Sequence, residues 1–251
     1  MENLEEGMGG LAKGLAIAER FDRDHPRLTV TDAATLTGLT PAAARRCMRT
    51  LEALGYLSYD GKFFQPTPRF VRLAGVFTET DPLPRLAEPL LAGVRDRFEE
   101  SASLGVLDAG DVLFVARAGS HHLVTTGQRV GGRLPAALSA AGRVLLAGLD
   151  DAEVLGVVAE GLRGPRTENA LTDPGAVLAE VRAGEARGYC LTDEEVEIGL
   201  RAVAVPVTGA AGQVIAAMSL SVLSARASVE RMVDEFVPAL RDAADRLSRM
   251  L

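Results

Sequence analysis

Three arginines, Arg45, Arg46 and Arg49, are spaced so that one side of a helix beginning at Thr40 would carry all of them. Successive residues of a helix are rotated by about 100°. An arginine guanidinium forms paired hydrogen bonds with guanine O6 and N7, or with phosphate. The spacing therefore predicts a DNA-contacting helix. Its opposite, apolar side would consist of Ala44, Cys47, Met48, Leu51 and Leu54.

The beginning of this helix is suited to a close approach to DNA. Thr40 supplies a capping hydroxyl, and Pro41 occupies the first helical position, where no amide hydrogen is needed. Ala42 and Ala43 are small enough to let the backbone come near the bases. In an isolated helix, an arginine face would be equally compatible with a solvated surface. The elements on either side decide between the two interpretations.

The preceding elements fit a helix-turn-helix. Residues 9–24 have apolar residues at helical spacing, which predicts a first helix. Thr29 and Asp32 form a capping-box pattern for a second helix, and Gly38 can adopt the left-handed conformation that ends it. After the arginine helix, residues 56–59 and 62–65 alternate as two short strands around an Asp-Gly dipeptide.

These elements together predict a winged helix-turn-helix, with Lys62 at the wing tip. A lysine in this position would contact phosphate, which fixes the register on DNA without reading the sequence.

The charge distribution agrees with a DNA-binding domain joined to an acidic one. The chain has 251 residues and a net charge of −7, yet residues 1–80 contain 10 basic and 10 acidic residues. Residues 40–75 contain six basic and two acidic residues. With 47% hydrophobic and 24% charged residues the chain is expected to be globular. No apolar run is long enough for a membrane span, and no signal peptide is expected, so a cytoplasmic location is predicted.

Other reactive side chains do not form a catalytic or metal-binding pattern. His121 and His122 are adjacent but have no further ligands at metal-binding spacing. The acidic run from Asp193 to Glu197 is predicted to be a solvated turn that begins a helix, with one residue near a pocket mouth. Cys47 and Cys190 are expected to be free thiols. Without a nucleophile elbow, zinc-protease or phosphate-loop motif, no cofactor or metal is expected and an enzyme is the less favoured class.

Residues after about 102 predict a second, α+β domain with an antiparallel sheet covered by helices. Strands are predicted at residues 103–107, 112–116, 123–126, 202–207 and 214–222. Helices are predicted at residues 150–159, 173–187 and 229–251. Residues 68–101 have a helical pattern interrupted at 81–84. The predicted domains are 1–80 for DNA binding, 81–101 as a linker helix, and 102–251.

The string GLTPAAARRCMRTLEALGYLSYDGKFFQPTPRFVRLAG resembles the N-terminal domain of IclR-type bacterial transcription regulators. It is most similar to the branch that controls the β-ketoadipate and hydroxybenzoate pathways. Two motifs of the same family's GAF-like effector-binding domain, R-L-P-A-x-x-S-x-x-G-R-x-L-L-A and G-L-R-x-x-A-V-P-V-x-x-x-x-G, begin at Arg133 and Gly199. The resemblance implies a ligand-responsive regulator that binds double-stranded operator DNA as a dimer or tetramer, with no membrane partner.

The resemblance also implies which residues line the effector cavity. The positions that match the family are Leu134, Ala140, Ala141, Thr192 or Asp193, Leu200, Ala202, Ser219 and Ser221. A cationic side chain would pair with a carboxylate effector, and Arg133 and Arg143 are the candidates. Arg143 could equally be a salt-bridged helix residue. The expected effector is an aromatic acid such as protocatechuate or 4-hydroxybenzoate, or a linear oxo-diacid.

Two other functions are compatible with the sequence. One is an IclR-type regulator of a different small carboxylate or of a non-aromatic pathway. The other is a GAF-like small-molecule sensor or enzyme whose helix-turn-helix serves protein contacts. Sequence-specific, salt-dependent DNA binding would distinguish either kind of transcription regulator from a sensor or enzyme without that activity.

Overall fold

The computed structural model describes residues 7–22, 24–122, 128–161 and 166–251. Contacts divide the chain into two compact units, residues 1–80 and residues 81–251. Each unit has its own hydrophobic core.

Unit 1 is a three-helix domain with a hairpin and a further helix. Its elements are α1 (Gly9–Ala18), α2 (Val30–Thr37), α3 (Pro41–Ala53), β1 (Leu57–Tyr59), β2 (Phe64–Pro66) and α4 (Arg69–Thr80). The predicted capping box is confirmed: the Thr29 hydroxyl accepts from the Asp32 amide, while the Asp32 carboxylate accepts from the Thr29 amide at 2.9 Å. Gly38 ends α2 in the left-handed region, at φ 68°. Ile17, Met48 and Phe64 are buried at the centre of this unit.

Two boundaries in unit 1 differ from the sequence prediction. Helix α1 ends at Ala18 rather than at residue 24, because the Asp22 carboxylate accepts hydrogen bonds from the amides of Asp24 and His25 and closes a turn. The wing hairpin has a four-residue loop, 60–63, rather than a two-residue turn. Asp60 stabilises this loop because its Oδ1 accepts from the amides of Lys62 and Phe63 at 2.8 and 2.7 Å.

Unit 2 is built on a six-stranded antiparallel sheet in the order β5-β4-β3-β8-β7-β6. The strands are β3 (Ser101–Asp108), β4 (Asp111–Ala118), β5 (Arg133–Pro135), β6 (Cys190–Asp193), β7 (Leu200–Thr208) and β8 (Val214–Leu223). The predicted α+β class is thus confirmed. The short strands β5 and β6 at the two edges were not predicted, and the strand predicted at residues 123–126 lies outside the described residues.

Helices cover both faces of this sheet, as alternation of side chains along the strands requires. Val203, Val205 and Leu220 face α5 (Pro82–Phe98) and the closing helix, whereas Ala204 and Ala217 face the other side. That second side is covered by α6 (Ala140–Leu146), α7 (Asp151–Gly161) and α8 (Pro174–Arg187). The closing helix consists of α9 (Val229–Arg231), a π-helical turn (Met232–Phe236) and α10 (Val237–Ser248).

Helix α5 contains most of the segment expected to be a linker, and it forms part of the core of unit 2. Leu83, Leu90, Leu91 and Val94 are buried among residues of the sheet and of α10. The interruption between α4 and α5 is the single residue Asp81, whose carboxylate accepts from the Leu83 amide at 2.9 Å. Among the helices that the structure describes, none is long and apolar enough to cross a membrane.

Candidate functional site

The exposed side of α3 presents two arginines to solvent. Arg45 and Arg46 are exposed, as is Ala42, and within the described part of the chain neither arginine has an ion-pair partner. The Thr40 hydroxyl accepts from the Ala43 amide at 3.3 Å, which confirms it as the helix cap. This surface combines free guanidinium groups with a small residue near the helix start, as contact with DNA bases requires.

The structure places two of the predicted DNA-contacting residues differently. Ala43 is buried, because α3 packs against both α1 and α2 and so buries a wider sector than one apolar stripe. Arg49 is exposed, but its guanidinium bonds Glu52 at 2.7 Å and lies 4.3 Å from the centre of the Tyr59 ring. Arg49 therefore connects α3 to the wing, in addition to contributing positive charge to this side.

A second cation, Arg27, lies beside the wing, and the sequence did not indicate it. Lys62 is exposed in the loop, with its ammonium 5.0 Å from the centre of the Phe63 ring. The guanidinium of Arg27 lies 4.3 Å from the same ring. Arg27 reaches the wing because its neighbour Leu28 pairs with Phe64 in an isolated β-bridge. Nothing in the local sequence around residue 27 predicts this long-range pairing.

In unit 2, a small cavity lies between the sheet and α6. Eight of the residues predicted for effector binding line it, namely Leu134, Ala140, Ala141, Thr192, Leu200, Ala202, Ser219 and Ser221. The structure thus brings together residues from five elements that are far apart in the chain. The other lining residues are Ser139, which belongs to the family motif beginning at Arg133, and Phe114, Gln128 and Val196, which the sequence did not indicate.

The strand register explains how the polar lining residues meet. Thr192 pairs with Ala202, and Ala202 pairs with Ser221, so these three form one row across the sheet. Within the described residues the hydroxyls of Thr192 and Ser221 form no hydrogen bond. Ser219 Oγ lies 3.5 Å from the Ser103 carbonyl oxygen, a distance too long for a strong bond. These buried hydroxyls are available to bind a polar ligand.

A cation lies on this same face of the sheet. Ser219 pairs with Ser103 on β3, and Ser103 pairs with Arg117 on β4, which places Arg117 in the row of Ser219. The Arg117 guanidinium donates to the Ser101 hydroxyl at 2.9 Å, and burial lowers the pKa of Arg117. The sequence did not indicate Arg117, which directly follows the strand predicted at residues 112–116.

The cavity is nearly closed. Its volume is about 20 Å³, which is the space of one or two water molecules. Sites for small organic ligands usually have roughly 300–1,000 Å³. Side chains of the lining must therefore move before the cavity can hold an aromatic acid.

Arg133 and Asp193, which were also predicted to bind the effector, do not line the cavity. Arg133 forms ion pairs with Asp108 and with Asp111, the latter at 3.1 Å. Asp193 pairs with Arg201 at 2.6 Å. Side chains alternate between the two faces of a strand. Arg133 precedes Leu134 and Asp193 follows Thr192, and both of these neighbours point into the cavity. Neither side chain is positioned to bind a ligand in this cavity.

Arg143 is the salt-bridged helix residue that the sequence left as one of two possibilities. It is 1% exposed, and its two terminal nitrogens donate to Glu195 at 2.8 and 2.5 Å. Its Nε donates to the Ala137 carbonyl at 3.0 Å, and Glu195 also accepts from the Leu171 amide. The prediction of a solvated, helix-starting acidic turn was wrong for Glu195, which is buried in a turn that follows β6.

This buried ion pair holds a loop against the cavity. The loop between Glu194 and Gly199 connects β6 to β7, and the Glu194 carboxylate accepts from the Gly199 amide at 2.9 Å. Val196, in the middle of the loop, lines the cavity. The Arg143–Glu195 pair consequently fixes one wall of the cavity next to α6.

The cysteines and histidines have no site chemistry in the described structure. Burial raises the pKa of Cys190 to about 12, which keeps its thiol protonated and unreactive. Cys47 is also a free thiol. His122 lies 4.0 Å from Glu100, and no group of three potential metal ligands occurs among the residues described.

A winged helix-turn-helix followed by a sheet domain with an internal cavity defines a DNA-binding regulator of two parts. Comparison with known proteins agrees. Residues 10–61 match the IclR helix-turn-helix domain, and residues 77–249 match the bacterial transcriptional regulator IclR C-terminal domain. The chain belongs to the IclR family of bacterial transcriptional regulators, which confirms the resemblance seen in the sequence.

Two curated relatives are similar over nearly the whole chain. The Pca regulon regulatory protein of Pseudomonas putida is 34% identical over 245 residues, covering 97% of this chain and 84% of the relative. The p-hydroxybenzoate hydroxylase transcriptional activator of Acinetobacter baylyi is 35% identical over 253 residues, covering 98% and 93%. These relatives are transcriptional regulators, not enzymes.

Two solved structures have the same fold along the chain. A putative transcriptional regulator from Rhodococcus sp. RHA1 is 37% identical, with a TM-score of 0.82 over 97% of this chain and 98% of that one. An IclR homologue from Microbacterium hydrocarbonoxydans, crystallised with 4-hydroxybenzoate, is 27% identical. Its TM-score is 0.75 over 96% of this chain and 98% of the homologue.

Proposed function

We propose that this protein regulates an operon for the breakdown of aromatic acids and that an aromatic carboxylate is its effector. The main supporting observation is the cavity in unit 2, where the apolar side chains of Phe114, Leu134 and Leu200 meet the hydroxyls of Thr192 and Ser221. An aromatic ring needs an apolar surface, and a carboxylate needs hydrogen-bond donors such as these hydroxyls. Relatives named for the Pca and p-hydroxybenzoate systems support this class of effector.

The carboxylate partner in this proposal differs from the sequence expectation. Arg133 and Arg143 are engaged by acidic side chains of the protein. The effector carboxylate would instead accept from the hydroxyls of Ser219 and Ser221, on the face of the sheet that also carries Arg117. A positive charge on that face lowers the free energy of a bound anion.

DNA would be contacted by the exposed side of α3 and by the wing. We infer that Arg45 and Arg46 enter the major groove and that Lys62 contacts phosphate. Thr40 and Ala42 lie at the groove-facing end of α3, while Arg49 adds charge and holds the wing in place.

We also infer that the protein works as a homo-oligomer. Leu73, Val76 and Phe77 lie on one face of α4, with exposed fractions of 51%, 56% and 42%. A contiguous apolar stripe of this kind is typical of a surface that binds another protein. A second copy would place two α3 helices on the two halves of an operator.

Thermal unfolding of the full-length protein in the presence of candidate acids tests the proposal. A ligand that binds only the folded state raises the unfolding temperature in a concentration-dependent manner. We expect protocatechuate or 4-hydroxybenzoate to raise it and a sugar acid of similar charge to leave it unchanged.

The same two ligands should alter the protein's affinity for the DNA upstream of its gene in a gel shift. If only a non-aromatic carboxylate raised the unfolding temperature, the protein would regulate a different pathway. An absence of sequence-specific DNA binding at every effector concentration would contradict the regulatory function itself.

A further inference from the structure

Gln128 has an unsatisfied side-chain oxygen next to the candidate effector cavity. Its Oε1 atom is buried and has no hydrogen-bond partner within the described structure. The residue lines the cavity together with Phe114 and Leu134. A buried acceptor without a partner is uncommon, because leaving such a group unpaired destabilises the protein. An arrangement of this kind is expected where a ligand supplies the missing partner.

The missing partner must be a hydrogen-bond donor. A carboxylate oxygen only accepts hydrogen bonds, so the carboxylate of an aromatic acid cannot satisfy Gln128 Oε1. A phenolic hydroxyl can donate. The cavity therefore has an acceptor suited to a ring hydroxyl and, separately, the hydroxyls of Ser219 and Ser221, which can donate to a carboxylate.

The sheet places these two groups apart. Gln128 comes shortly before Gly131, whose amide donates to the Phe114 carbonyl at 2.8 Å, so this segment lies beside β4. The two serines are on β8, and β3 lies between β4 and β8. Three strand spacings of roughly 4.8 Å therefore separate the backbone of this segment from β8, which is about 14 Å across the sheet. A separation of this order suits the two ends of a para-substituted benzoic acid with its hydrogen bonds.

We propose that Gln128 is the residue that selects effectors with a ring hydroxyl opposite the carboxylate, by accepting a hydrogen bond from that hydroxyl. The inference rests on the proposed function, since it assumes an aromatic acid in this cavity. It adds the orientation of the effector and the reason for discrimination. A site with a buried acceptor rejects analogues that lack the donor, because the acceptor then stays unpaired.

Calorimetric titration of the full-length protein with 4-hydroxybenzoate and benzoate tests this role. We expect the wild type to bind 4-hydroxybenzoate more tightly, by roughly 5- to 150-fold, as for one hydrogen bond to an otherwise unpaired buried group. In Gln128→Met, which has a similar volume but no acceptor, the two acids should bind with nearly equal affinity. The matched control Ser221→Ala should weaken both acids by a similar factor and keep the preference.

A second measurement needs no variant and so does not depend on its folding. Wild-type protein is titrated with 4-aminobenzoate, whose substituent donates, and with 4-fluorobenzoate, whose substituent does not. We expect the amino compound to bind more tightly than the fluoro compound. Equal binding of these two would overturn the role of Gln128, as would an unchanged hydroxyl preference in Gln128→Met. If wild-type protein bound none of the four acids, the proposed effector class would fail, and the role of Gln128 with it.

Discussion

The two units use arginine in opposite ways. In unit 1, Arg45 and Arg46 lie on the solvent side of α3, and the described residues place no carboxylate beside them. In unit 2, Arg143 is buried against Glu195, Arg201 is paired with Asp193, and Arg133 is paired with two aspartates. These arginines are thus open to a ligand in unit 1 and occupied by the protein itself in unit 2.

This difference shows that an arginine is a candidate binding residue only when no carboxylate of the same fold reaches it. A guanidinium already engaged in two charge-assisted hydrogen bonds has little left to offer a ligand. Unit 1 therefore provides binding through charge. The proposed effector site of unit 2 consists mainly of hydroxyls, an amide and apolar contacts, while Arg133, Arg143 and Arg201 hold loops and strand ends in place.

Replacement of Glu195 by alanine is expected to have the largest effect, because it would leave Arg143 buried without its partner. Breaking a buried ion pair on one side typically lowers the free energy of unfolding by about 3–5 kcal/mol. Urea denaturation followed by circular dichroism measures this loss. The matched control is Asp193→Ala, which breaks the pair with Arg201, where the aspartate side chain is 44% exposed. Such exposed pairs contribute about 0–1 kcal/mol.

The double variant Arg143→Met with Glu195→Leu sharpens the result. Because it removes both charges together, much of the stability lost in Glu195→Ala should return. If Glu195→Ala and Asp193→Ala lowered the free energy of unfolding equally, the contrast between the buried and the exposed ion pair of unit 2 would be wrong.

The sequence predicts the arginine face of α3 well because every determinant is local. Helical periodicity separates Arg45 and Arg46 from Met48, and Thr40 caps the same helix. The Arg143–Glu195 pair spans 52 residues and depends on how β6 lies beside α6. No periodicity within either segment contains that information, so the sequence left two roles open for Arg143.

The candidate effector cavity was predicted only in part. The family resemblance placed Ser219, Ser221 and Ala202 in it, and the strand register brings them together. The assignment of Arg133 failed because β5 was not predicted. In this strand Leu134 points into the cavity, so the neighbouring side chain of Arg133 cannot. Gln128 was missed because an unpaired buried oxygen becomes visible only when its surroundings in the fold are known.

Replacement of Arg45 by alanine is the corresponding test in unit 1 and should have the next largest effect. If Arg45 contacts a base, its loss should weaken operator binding by about 1–3 kcal/mol and relax the preference at one base position. Lys62→Ala should instead weaken binding to all sequences alike and reduce the dependence on salt by about one ion. Fluorescence anisotropy with operator and scrambled DNA at several salt concentrations measures both.

Arg249→Ala is the control for this pair, because it removes an exposed arginine from the end of unit 2. It should leave operator affinity and the salt dependence unchanged. If Arg45→Ala behaved like Arg249→Ala, the exposed arginines of α3 would not be the DNA-contacting groups, and the contrast between the units would lose its functional meaning.

The smallest effect is expected for Asp32 in unit 1. Its carboxylate caps the helix to which it belongs, whereas Glu195 in unit 2 pairs with an arginine far away in the chain. Hydrogen bonds from the Thr29 amide and hydroxyl lower the pKa of Asp32 below its ordinary range. Because the folded-state pKa is the lower one, this stabilisation is fully present above the unfolded value of about 3.9 and is lost as the pH falls through the folded value. Thermal unfolding of wild type and Asp32→Asn should therefore differ at neutral pH and converge in acid.

Asp234→Asn, which removes the same charge from the closing helix, controls for net charge. A constant difference between wild type and Asp32→Asn at all pH values would mean that the charge of Asp32 does not support the cap. In that case, local capping in unit 1 would depend on hydrogen-bond geometry alone.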